Sequence, residues 1–142
     1  MNLLVAVVVA LSTVACKEKG CTDPYAYNYN PDAEKEDESC GYNGRAVCWF
    51  NSVTATNCVN ASIPNIDFYV DNVKAGTVSM ADFSTGEPLC GGADGITATL
   101  DIGSGASVTK SYAIKEGGTS NVLQSGTVLI SKDVCHWIEF TY

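Results

Sequence analysis

Seven cysteines and a crowd of short acidic and amide side chains are the residues of this chain that could do chemistry. Cys21 and Cys40 bracket a polar run, CTDPYAYNYNPDAEKEDESC, in which Asp23, Asn28, Asn30, Asp32, Glu36, Asp37 and Glu38 offer side-chain oxygens. Calcium, a hard cation, takes six to eight oxygen ligands from such short loops. Pro24 and Pro31 stiffen the run, and a Cys21–Cys40 disulfide would pin its ends and lower the entropy of the open loop. The spacing is not that of an EF-hand. Two readings therefore stand side by side: a calcium loop, or a solvated acidic linker closed by a disulfide. Zinc and dithiol redox chemistry fit poorly, because no C-x-x-C spacing occurs and His136 is the sole histidine.

Nothing in the rest of the chain assembles a catalytic set. A nucleophile needs a base within hydrogen-bond reach. His136 sits in an alternating segment beside Cys135 with no partner signature, and reads as a strand residue. The run around Ser104 lacks the strand-turn-helix setting of a nucleophile elbow. Gly91-Gly92 and Gly117-Gly118 lack the helix and lysine of a phosphate loop. Trp49, Tyr69 and Trp137 could line a sugar-binding face, but strand aromatics more commonly serve core packing and cross-strand pairing. The expectation is a protein that is not an enzyme.

The elements that must position these residues follow from composition and periodicity. The chain has 142 residues and a formal net charge of -8. With no basic stripe to neutralise phosphates, nucleic acid is excluded as a partner. Residues 1–15 contain the apolar run LLVAVVVAL, too short to span a bilayer and ending in small residues, which is the pattern of a secretory signal peptide. STVACKEKG follows the pattern of a lipobox with Cys16 as the acylated residue, although Thr13 stands where leucine is usual and no basic residue precedes the apolar core. Ordinary signal cleavage with Cys16 as a spare thiol is the competing reading. If Cys16 carries lipid, six cysteines remain, an even number suited to disulfides outside the cytoplasm.

Three segments are expected: the signal at 1–15, a lipid-proximal tether and acidic cassette at 16–43, and a β domain at 44–142. Period-two alternation marks strands with one face buried. In ITATLDI, Ile96, Ala98, Leu100 and Ile102 share a face. In IDFYVD, Ile66, Phe68 and Val70 oppose Asp67, Tyr69 and Asp71. Asp71-Asn72 predicts a tight hairpin, since both residues tolerate left-handed backbone. RAVCWFN, SVTKSYAIKE, VLQSGTVLIS and CHWIEFTY supply further strands. Lys110 interrupts an inward series and is expected near a sheet edge. The fold class is all-β: a small antiparallel, Ig-like β-sandwich preceded by an irregular, disulfide-closed loop cassette.

GCTDPYAYNYNPDAEKEDESC resembles a cassette of secreted and surface proteins of the Bacteroidota, G-C-T-D-P-x-A-x-N-Y-N-P-x-A-x-x-D-D-G-S-C. It matches at Gly20, Cys21, Thr22, Asp23, Pro24, Ala26, Asn28, Tyr29, Asn30, Pro31, Ala33, Asp37, Ser39 and Cys40. The cassette is similar in ligand type to thrombospondin type 3 repeats. That resemblance implies calcium held by Asp23, Asn28, Asn30 and Asp37, with Glu36 standing where the pattern has Asp and Glu38 where it has Gly. The remainder resembles a small β-sandwich module of lipoproteins from the same phylum and, in its hairpin with Gly76, PEGA-type surface domains. In that module a second cysteine follows the segment resembling PLCGG within a few residues, where this chain has Gly95, so Cys90 is expected to pair elsewhere, and the expected pairings are Cys21–Cys40, Cys48–Cys90 and Cys58–Cys135. The resemblance also implies a non-enzymatic envelope protein, lipid-anchored at the outer membrane or cell surface, with a glycan or another envelope protein as its partner class.

Overall fold

The computed structural model describes residues 17–142. The expected signal peptide and Cys16 lie outside the described residues. Among the described residues, no helix is long and apolar enough to cross a membrane.

Two sheets face each other. The three-stranded sheet has the order β6 (Ile96–Gly103), β3 (Tyr42–Trp49), β9 (Cys135–Glu139). The four-stranded sheet has the order β5 (Val73–Ser79), β4 (Asn65–Val70), β7 (Ser107–Glu116), β8 (Val122–Ser131). Every pairing in the two is antiparallel except β3 with β9, which run parallel in the register Arg45–Cys135 to Trp49–Glu139. The all-β sandwich expected from alternation is present. Inward positions recur at every second residue: Ala46, Cys48 and Phe50 from one sheet face Ile66, Phe68, Val70 and Ile114 from the other, all buried. Each large aliphatic or aromatic side chain so removed from water contributes about 1.5–3 kcal/mol. Phe50 and Phe140 meet edge-to-face at 6.3 Å.

The Asp71-Asn72 hairpin forms as expected. Both residues take positive φ, 46° and 65°, the conformation that matches strand twist across a two-residue turn. Lys110, expected near a sheet edge, lies on an interior strand of its sheet. β4 pairs with β7 only at Tyr112–Glu116, so the start of β7 is laddered by β8 alone, and the Lys110 ammonium meets Asp71 at 2.9 Å.

One element goes beyond the sequence reading: α1 (Ser52–Asn60), which closes one end of the core with Ala55 and Cys58. Its residues include Val53, Thr54, Thr56 and Val59, poor helix formers because of their branched β-carbons. Asn51 compensates as N-cap, its side chain accepting from the amides of Val53 and Thr54.

Two expected disulfides, Cys48–Cys90 and Cys58–Cys135, are corrected by the fold. Cys48 points inward from β3 and Cys58 inward from α1; both are buried and free. Cys90 lies on a long excursion between β5 and β6, outside the sandwich, and bonds to Cys135 at the start of β9. An inward thiol cannot reach a loop that lies over the outer face. The excursion explains another departure from simple alternation. Val47 points outward yet is fully buried, because the loop covers it: a side chain at Gly95 would press on Val47 and on the Cys48 carbonyl. The Cys90–Cys135 bond, a hydrogen bond from the Trp137 indole to the Pro88 carbonyl (2.8 Å) and one from the Gly91 amide to Thr97 (2.7 Å) hold the cover down.

Candidate functional site

The cassette is closed by Cys21–Cys40, as expected, with a Cα–Cα separation of 4.7 Å. Its only regular structure is a parallel pair of two-residue strands, β1 (Lys19–Gly20) with β2 (Lys35–Glu36). So short a ladder cannot hold the fourteen residues between its strands in place, and the polar side chains do so instead.

Each expected calcium ligand is a hydrogen-bond hub. Asp23 accepts from its neighbour Tyr25 at 2.9 Å through one oxygen, an Asx-type turn at the Asp-Pro start. Through the other it accepts from Tyr42 at 2.6 Å and from Lys132 at 3.2 Å. Asn28 spans the loop, donating to the Ser39 carbonyl and accepting from the Gly41 amide, both at 2.7 Å. Asn30 accepts from the Asp32 amide and donates to Glu18. Glu36 accepts from the amide and hydroxyl of Thr22 with one oxygen, and from the amides of Asp37 and Glu38 with the other. Asp37 accepts from the Ser39 amide.

These bonds hold the carboxyls of Asp23, Glu36 and Asp37 below their ordinary values: through the Tyr42 hydroxyl for Asp23, the Thr22 amide for Glu36, and Ser39 for Asp37. Asp23, Asn28, Asn30, Glu36 and Asp37 are therefore the side chains that satisfy backbone donors in a loop with almost no ladder. Glu38 adds a further reason for the pattern. Its φ is 66°, left-handed backbone, where the pattern has Gly.

The fit of calcium follows from this geometry. Six to eight oxygens must converge on one point. Among the described residues, the one cluster with three metal-capable groups is Cys21, Glu36 and Cys40, and both sulfurs belong to the disulfide, so neither is a thiolate. The side chains of Asp23, Asn28, Asn30, Glu36 and Asp37 face amides and hydroxyls rather than a common centre. As folded, the side-chain oxygens of these residues are taken up by donors of the protein itself.

What the cassette does present is a fixed joint to the sandwich. Tyr42 opens β3, and Lys132 follows β8 beside Gly44. The Lys132 ammonium lies 3.6 Å from the centre of the Tyr42 ring and also meets Asp23. The Asp23 carboxylate raises the pKa of the Tyr42 hydroxyl. Burial disfavours the Lys132 charge, and Asp23 more than offsets it, so that pKa is raised too. A second tie runs from the Tyr27 hydroxyl to Asp101 on β6 at 3.2 Å. Gly41 allows Tyr27 to lie flat at the joint, since a Cβ there would run into the ring. Asp23 was legible in the sequence as a polar loop residue, whereas Tyr27 and Tyr42 carried no signal separating them from other tyrosines.

The other expected site residues are engaged structurally. His136 accepts from the Ser131 amide through Nε2 at 2.9 Å, which occupies the lone pair that a general base would use. Trp137 caps the outer loop through its indole N–H. Tyr69 lies beneath the Lys115 ammonium at 4.4 Å. Cys48 is buried in apolar surroundings that push its thiol up to about 12, and burial also raises the pKa of Cys58; neither has the electropositive surroundings of a reactive thiol. No family model, characterised protein or solved structure matches the chain.

Proposed function

We propose that the chain is a non-enzymatic, lipid-anchored envelope protein in which the cassette is a stiff spacer and the sandwich a display or binding module. The observation that carries this reading is the joint of Asp23, Tyr42 and Lys132, with its second tie from Tyr27 to Asp101. A flexible linker would leave the sandwich free to tumble on its tether. A cassette fastened at two points instead fixes the sandwich's orientation to the tether that begins near Lys17. The acidic residues serve that stiffness by capping backbone donors. The anchor rests on the apolar run ending at Ala15 and on the cysteine count: two disulfides and two buried free thiols account for six cysteines, leaving Cys16.

The test is metabolic labelling with a fatty acid and fractionation of the cells. The wild-type chain takes up label and partitions with membranes. Cys16→Ser loses both. Label retained by the variant removes the anchor from the reading. Capture of glycans is a second reading, favoured by a polar cleft at the joint.

A further inference from the structure

The outer face of the three-stranded sheet is covered at one end and open at the other. Val47 and Trp137 lie under or against the Cys90 loop. Asn43 and Arg45, outward on the same strand, remain exposed. The cassette rises beside them with Tyr25 and Tyr27, and the turn after β8 brings Asp133. Together with the Gly44 backbone these residues line a cleft of about 260 Å³.

Three features separate this cleft from an ordinary surface dip. First, its aromatic rings are exposed, Tyr25 by 80% and Tyr27 by 57%. Tyr27 is nonetheless fixed, by its hydroxyl bond to Asp101, its amide bond to the Gly41 carbonyl at 3.0 Å, and its contact with Gly41. A ring held in place before binding loses little further entropy on contact. Second, Arg45 is the chain's sole arginine, and among the described residues it forms no ion pair. An exposed guanidinium keeps its fork of donors for a ligand. Third, Asp133 takes a left-handed backbone, φ 59°, which fixes the turn that carries its carboxylate to the rim.

We propose that this cleft binds a neutral saccharide unit. The apolar C–H face of a sugar ring suits the Tyr25 and Tyr27 rings, while its hydroxyls match the amide of Asn43, the donors of Arg45 and the acceptors of Asp133. One cation and one anion line the cleft, so its formal charge balances, and an uncharged polyol leaves neither side chain in excess. A polyanion would meet Asp133 and a chain of net charge -8. The volume falls just below the usual range of small-molecule sites, which limits the occupant to about one ring of a longer glycan. The site differs from the aromatic set Trp49, Tyr69 and Trp137, of which Trp137 and Tyr69 are engaged elsewhere. The inference rests on the binding-module half of the proposed function and not on the anchor, so labelling at Cys16 and sugar binding fail independently.

The test uses the full chain, extracted in mild detergent and passed over an array of neutral gluco-, xylo-, manno- and galacto-oligosaccharides beside matched uronate oligomers. Retention on at least one neutral series is expected. Tyr25→Ala, through lost ring contact, and Arg45→Gln, through a lost hydrogen bond to a charged group, should each weaken it by about tenfold. Lys115→Gln, on the opposite sheet, should leave it unchanged. Both cleft side chains are exposed, so all three proteins should melt with the wild type. Retention of uronates alone, retention indifferent to Tyr25→Ala and Arg45→Gln, or no retention on any neutral series overturns the proposal.

Discussion

The Tyr42 hydroxyl donates to the Asp23 carboxylate at 2.6 Å, and this bond joins the first strand of the sandwich to the first turn of the cassette. The same oxygen meets Lys132, so one carboxylate ties three segments that are distant in sequence. Asp23→Ala should release the cassette while sparing the core. Hydrogen exchange followed by mass spectrometry should show faster exchange at the Tyr27 and Asn30 amides, whose acceptors are Gly41 and Cys21. Amides of β4 and β7 should keep their protection. Unchanged protection in the cassette would mean that the disulfide alone holds it.

The thiol inventory is equally direct. Non-reducing peptide mapping should find Cys21 joined to Cys40 and Cys90 to Cys135, with Cys48 and Cys58 unreactive to alkylation until the protein unfolds. Removing the Cys90–Cys135 bond with a Cys90→Ser, Cys135→Ser pair should cost about 2–5 kcal/mol and expose the surface over Val47. A map joining Cys48 to Cys90 would restore the pairing expected from the sequence and require a different path for the loop.

How far the sequence foretold the fold depended on how local each signal was. Alternation in ITATLDI and IDFYVD marked β6 and β4 because one face of each meets the core. Asp71-Asn72 marked its turn because backbone tolerance is a property of the residues themselves. The helix α1 was hidden by its β-branched residues, although Asn51 followed by inward positions at 54, 55 and 58 was a legible cap and face. The Cys90 pairing depended on the course of a long loop, and no periodicity records such a course. In the cassette the residue types were legible but their direction was not: oxygens that could face a cation face amides instead.

Asp67 illustrates the same limit and carries a prediction. It points to the outer face of its sheet, where alternation predicts solvent, yet it is 2% exposed. Burial pushes its pKa up, but Lys74 at 2.8 Å, the Thr77 hydroxyl at 2.6 Å and the Gly118 amide at 3.1 Å outweigh it, so the net shift is downward. A depressed carboxyl contributes stability that is full above its unfolded pKa, near 3.8, and lost as pH falls through the lower folded value. Thermal melts should therefore hold steady from neutral pH to about pH 5 and fall below about pH 4. Asp67→Ala should cost about 2 kcal/mol at neutral pH, since Lys74 is partly solvated and tolerates the loss better than a buried cation would. It should also flatten part of the acid limb. An acid limb identical to wild type would assign the pH dependence to Asp23, Glu36, Asp37 and Asp71, which are depressed as well.

Calcium separates a spacer held by its own hydrogen bonds from one assembled around an ion. Extracellular calcium modules bind at about 10⁻⁴ to 10⁻³ M. At 10 mM calcium, a site of that affinity would stabilise the folded chain by about 1.4–2.7 kcal/mol, which raises the melting temperature of a domain this size by several degrees. The hydrogen-bonded geometry predicts no such rise. To reach a common ion, Glu36 would have to abandon Thr22, Asn28 would have to abandon Gly41, and Asp23 would have to release Tyr42 and Lys132. Each release leaves a donor to find water, and the last also frees the joint. Melts of the full chain in calcium should therefore overlay those in magnesium at equal ionic strength, and Asp37→Ala should respond no differently. A calcium-specific rise of several degrees that Asp37→Ala abolishes would show that the loop rearranges around the ion, and the spacer would then be one that calcium assembles.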